Sequence, residues 1–164
     1  MKLLLTLMIS IFSLRASEIG LLLEVKNNSL LYFSVQNREE LCVPYGIVTF
    51  EMLMFKSRDN ELCQKALFEF YDKNPLYKSF AKKHFHPQQQ YIFERKKSSC
   101  IIHASGKKNY SAMLLENGLA IVKKSFKDRI LEPKYRRIEN GARFKKVGLW
   151  SDRVLRNCIT QIEL

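Results

Sequence analysis

Two apolar runs, Ile19–Val25 (IGLLLEV) and Leu30–Val35 (LLYFSV), are separated only by Lys26-Asn27-Asn28-Ser29. Runs of strand length broken by so short a polar cluster have one economical arrangement, a β-hairpin. A third run, Glu40–Val48 (ELCVPYGIV), reads as another strand, with Pro44 and Gly46 predicting a bulge or an edge near its end. The pattern then changes. Between Asn60 and Lys73, Leu62, Ala66, Leu67 and Phe70 recur at helical spacing, with Asn60 as cap and Pro75 as terminator. A short helical turn is expected over 76–83. Gln89–Arg95 and Ser99–Ala104 read as two further strands joined by Lys96-Lys97-Ser98. A helix follows at 110–117, stopped by Gly118, and a last one at 134–147 after Pro133. The fold class is therefore α+β. Five short strands with a helix inserted after the third suit a small OB-type β-barrel carrying three helices.

The N-terminus has a positive start at Lys2, an almost wholly apolar run from Leu3 to Leu14, and then Arg15-Ala16-Ser17. These are the parts of a signal peptide. Residues 1–16 are expected to be removed, leaving one domain over 17–164 in the periplasm or outside the cell. No later stretch reaches the ~18 unbroken apolar residues of a spanning helix, so no transmembrane span is expected in the mature chain. Four cysteines, Cys42, Cys63, Cys100 and Cys158, are an even number suited to two disulfides, with all three pairings open. Without Lys2 and Arg15, 26 of the 28 basic side chains face 16 acidic ones, a net charge of +10. That excess favours nucleic acid, acidic polysaccharide or lipid headgroups as partners.

The C-terminal third is more specific. Leu114-Leu115-Glu116-Asn117-Gly118-Leu119-Ala120-Ile121-Val122 resembles the LVxxGLAxV segment of the staphylococcal-nuclease-like (thermonuclease-like) family. Glu139, Ala142 and Gly148-Leu149-Trp150 resemble its terminal ExxA and GLW elements. These elements concern packing, so the resemblance implies the fold more than an activity.

In that family two aspartates and a backbone carbonyl hold calcium. A glutamate acts as base or orients the water, and two arginines stabilise the transition state. The GIDxPE segment resembles Gly46-Ile47-Val48-Thr49-Phe50-Glu51 here. Glu51 falls in the general-base position and Val48 in that of a metal aspartate. Val43 stands where the first arginine belongs, eight residues before Glu51. The DGDT turn resembles Lys26-Asn27-Asn28-Ser29, with Asn28 in the other aspartate's place. The second arginine's slot falls near Lys97 or Ser98, so Arg95 or Lys97 is the surviving candidate cation. Calcium is expected for the family, but these residues do not support its site, and no metal ligands are assigned.

The expected function is a binding module for nucleic acid or another anionic polymer, or for an envelope partner. The expected surface comprises Arg95, Lys96, Lys97, Lys107 and Lys108 beside the former active-site mouth, with Tyr91 for stacking. Two alternatives stand beside it: a divergent metal-dependent phosphodiesterase using Glu51 with Arg95 or Lys97, and a protein-interaction domain in which the charge serves solubility. His84-Phe85-His86 has a spacing that a strand could use to grip a metal, but it reads as a solvated loop. His103 reads as a strand residue without a catalytic partner.

Overall fold

The computed structural model describes residues 17–56, 61–105 and 108–162; the signal-peptide expectation and the Asn60 cap lie outside them. Strand β1 (Glu18–Val25) pairs antiparallel with β2 (Leu31–Val35), which pairs with β3 (Arg38–Cys42). On its other side β1 pairs with β5 (Gln90–Lys96), which continues to β6 (Ser99–Ser105) and the short β7 (Lys108–Asn109). The sheet order is β3-β2-β1-β5-β6-β7. Alternation along these strands sends Leu22, Leu31, Phe33, Val35, Tyr91 and Phe93 into one core. The architecture is the OB-like one expected, but the barrel is not closed by a continuous ladder. Across the open side, the chain just after β3 meets β6 at one parallel bridge between Pro44 and Cys100.

The expected third strand is broken in two. Gly46 takes φ of +78°, which turns the chain after β3 into a separate strand β4 (Ile47–Thr49). Strand β4 pairs with β8 (Ala120–Val122), within the GLAIV segment that had been read only as a motif. Two elements were also missed. Helix α1 (Phe50–Lys56) starts on the Thr49 hydroxyl, which accepts the Met52 N–H at 3.5 Å. Helix α7 (Arg153–Ile162) closes the described chain.

The other helices are α2 (Glu61–Lys73), the short α3 (Pro75–Lys78) and α4 (Phe80–His84), α5 (Tyr110–Glu116) and α6 (Leu131–Phe144). Helix α6 begins before Pro133, because the Asp128 carboxylate accepts the N–H groups of Ile130 and Leu131 at 3.0 and 2.9 Å. Two disulfides form, as expected. Cys42–Cys100 staples β3 to β6 beside the open seam, and Cys63–Cys158 ties α2 to α7. Each closes a long loop, worth about 4 kcal/mol in the chain-entropy account.

The end of α5 locks the C-terminal third. Gly118 has φ of +62°, and the N–H groups of Gly118 and Leu119 return to Leu115 and Leu114 at 3.1 and 2.9 Å. The Gly118 carbonyl then accepts the Leu149 N–H at 3.1 Å, which seats Trp150 against Phe50 with ring centroids 5.7 Å apart. A side chain on Gly118 would collide with the Val147 carbonyl oxygen. We therefore expect Gly118→Ala to lower unfolding stability in a urea titration by about 2–4 kcal/mol. A loss under about 0.5 kcal/mol would show that this contact is not tight.

Candidate functional site

The β1–β2 turn, the start of α1 and the α2–α4 segment converge on one carboxyl group. Glu51, in the first turn of α1, accepts three hydrogen bonds: from Asn28 Nδ2, Ser29 Oγ and the Tyr71 hydroxyl, each at 3.0 Å. Ser29 Oγ also contacts Thr49 Oγ1. Asn28 is wholly buried. Its Nδ2 donates to the Tyr77 carbonyl at 2.9 Å, and its Oδ1 accepts the Ala81 N–H at 2.9 Å. Its own carbonyl accepts the Tyr110 hydroxyl at 2.9 Å. The segment carrying α3 and α4 thus packs over the turn where the resemblance places a metal aspartate.

Burial pushes the Glu51 carboxyl above its ordinary value of 4.5, opposed by the hydrogen bonds from Ser29, Tyr71, Thr49 and Asn28. Burial, together with the Glu51 carboxylate, raises Tyr71 well above its ordinary value, so its hydroxyl stays a donor. The same two causes raise Tyr110. Calcium takes about six to eight hard oxygens, several of them anionic. Here, among the described residues, Glu51 is the one carboxylate lining the site, Asn28 Oδ1 is committed to Ala81, and the Val48 side chain has no donor atom. The residues do not fit calcium. Among the described residues no cluster of three or more histidine, cysteine or acidic side chains is placed to hold a metal.

Above this network lies a cleft of about 390 Å³, lined by Glu51, Asn28, Tyr71, Phe68 and lysines 26, 78 and 82. Arg95 and Lys97 do not line it. They lie in a second cleft, of about 630 Å³, with Lys96, Lys123 and Lys127. Glu18 and Glu94 also line that cleft, which is otherwise basic. Arg95 is held by Glu40 at 2.8 Å and Glu18 at 3.9 Å. The Lys96 ammonium sits 3.2 Å from Glu94 and over the Tyr45 ring. Lys97, at the exposed β5–β6 turn, has φ of +54° and no ion pair among the described residues. Glu51 and its supposed cationic partners therefore line different clefts.

Other placements also differ from expectation. Tyr91 is 7% exposed, and its ring packs on Phe33 and Phe85 in the core, so it offers no free face to a base. Strand alternation sets Tyr91, Phe93 and Arg95 on one face; that face points inward, and Arg95 lies beyond the core's edge. Lys108 pairs with Glu116 at 2.7 Å, opposite Ser105. Strand β6 separates it from the 97–98 turn by about 20 Å, so it does not join that cluster. Lys107 lies outside the described residues. His84 ends α4, its ring tilted against Phe80, with Phe85 buried between it and exposed His86. His103 Nε2 lies 3.6 Å from Glu94.

Lys123 and Lys127 are the cleft residues that sequence reasoning missed. They flank Phe126, whose ring covers Gly46, and only the β4–β8 pairing brings them beside the 95–97 turn. Tyr71 is a further site residue that the sequence does not signal: nothing local marks it as the partner of Glu51.

An OB-like sheet, a helix-ending glycine docked on a GLW turn, and a glutamate following the strand that pairs with GLAIV define a nuclease-like domain. The staphylococcal nuclease homologue family model matches residues 76–152, so that part of the chain is staphylococcal-nuclease-like. No curated protein matches the chain.

Because folding raises the Glu51 pKa, the folded state holds this proton more tightly than the unfolded chain does. The resulting stability is fully present below pH 4.5 and is lost as pH rises through the folded value. Glu51→Gln removes that dependence. Thermal unfolding at pH 4 and pH 8 should show the variant gaining stability relative to wild type at the higher pH; an equal difference at both would contradict the shift.

Proposed function

We propose that this chain is an exported nuclease-like domain that binds nucleic acid or another anionic polymer and has lost the family's metal-dependent hydrolysis. The observation that carries this reading is the state of Glu51. A general base must reach a water and keep a lone pair for its proton. Glu51 lines a cleft, but three protein donors occupy three of its roughly four lone-pair positions. Among the described residues no second carboxylate joins its network, and the Arg95–Lys97 turn lines a different cleft.

What remains is the basic cleft. Five cationic side chains outnumber two acidic ones there, and a polyanion gains by releasing counterions when it enters such a groove. Two disulfides fit an oxidising compartment. No described helix is long and apolar enough to cross a membrane.

The purified protein should leave single- and double-stranded DNA and RNA intact in Ca²⁺, Mg²⁺ or Mn²⁺. It should bind single strands with an affinity that falls about a hundredfold between 50 and 200 mM salt, as five phosphate contacts imply. Lys97→Gln with Lys127→Gln should weaken binding about tenfold and flatten the salt slope. Metal-dependent cleavage abolished by Glu51→Gln would overturn the loss of hydrolysis. Absent or salt-independent binding would overturn the polyanion reading and favour a protein partner.

A further inference from the structure

The outer face of α6 has no partner in the fold, and its composition is specific. At about 100° per residue, Ile130, Lys134, Arg137, Gly141, Phe144 and Lys145 fall in one sector about 100° wide. Ile130 and Lys145 flank the helix in right-handed helical backbone, so the sector extends to both. The acidic residues Glu132 and Glu139 lie on the opposite side, where they face Arg136 and Arg143. Lys134, Arg137 and Lys145 are exposed and make no ion pair among the described residues.

Phe144 and Ile130 are 88% and 80% exposed, more than any other large apolar side chain described. They stand about 21 Å apart at the two ends of the same stripe. Gly141 lies between them, and a Cβ added there meets nothing within 4 Å. Glycine weakens a helix interior relative to alanine, and no neighbour in the fold requires it here. It lets a surface outside the chain approach the helix backbone closely.

We propose that this face of α6 docks on an anionic lipid bilayer, with Phe144 and Ile130 entering the interface and Lys134, Arg137 and Lys145 meeting the headgroups. The charge is complementary, since three cations and no acid occupy the face. A flat interface takes apolar and cationic side chains together. A nucleic acid would use the cations but would leave the Ile130 side chain in water. The inference is independent of the Glu51 network and of the basic cleft.

The test is sedimentation of the full chain with phosphatidylcholine vesicles, with and without phosphatidylglycerol. The N-terminal apolar residues are common to wild type and variants, so differences between them report on α6. Binding should require phosphatidylglycerol. It should fall on the order of a hundredfold when Lys134, Arg137 and Lys145 all become Gln, at about fivefold per cation. Phe144→Ser should lower it on the order of tenfold. Trp150 is the single tryptophan of the chain and is 4% exposed, so Phe144→Trp adds a separate reporter whose emission should shift to the blue on the anionic vesicles. Unchanged binding by Phe144→Ser, or no emission shift, would overturn the proposal. So would the triple variant losing duplex DNA binding while keeping vesicle binding, which would assign this face to nucleic acid.

Discussion

Asn28 sits at the tip of the β1–β2 hairpin, yet no part of it reaches solvent. Its side-chain amide joins the start of α1 through Glu51 and the α3–α4 segment through Tyr77 and Ala81. Its backbone carbonyl takes the hydroxyl of Tyr110 on α5. An amide presents two donors and two acceptor lone pairs, and this environment offers two acceptors to the nitrogen and one donor to the oxygen. Truncating the side chain would leave the Ala81 N–H unpaired in the interior, at about 1–3 kcal/mol, and remove a donor from the Tyr77 carbonyl. An aspartate in its place would lose both amide donors and set a second carboxylate against Glu51. Asn28, which the family resemblance sets in the place of a metal aspartate, is therefore the residue that ties the α3–α4 segment down over the hairpin.

That closure explains the division between the two clefts. Glu51 is held from below by Ser29 and from the side by Tyr71, and its position serves packing. Positive charge collects instead where the β5–β6 turn meets the loop after β8, under the Phe126 ring that covers Gly46. That basic cleft is the surface on which the proposed function places an anionic ligand.

Much of the architecture was legible because short-range chemistry dictates it. Lys26–Ser29 had to turn, Pro75 had to end α2, and Gly118 had to leave α5 in a left-handed conformation. Sequence reading failed where the deciding contact is distant. Phe50–Phe55 continues the apolar character of β4, and only the pairing of β4 with β8 and the Thr49 hydroxyl turns it into a helix. Asn28 looked like a solvated turn residue, because its burial depends on a segment some fifty positions away. Tyr91 looked available because alternation reveals which residues share a face, not which face is the core. The Cys42–Cys100 pairing depends on topology: the chain just after β3 meets the start of β6, where β7 leaves it unpaired, at the Pro44–Cys100 bridge.

The proposed loss of metal binding turns on Glu51, whose carboxylate accepts from Asn28, Ser29 and Tyr71. It is tested most directly by following the Glu51 side-chain carboxyl carbon by NMR through a pH titration, with and without millimolar calcium. The account predicts a midpoint above the ordinary carboxylate value of 4.5 that calcium leaves in place. A midpoint that falls when calcium is added would show an ion engaging the carboxylate, and would contradict it.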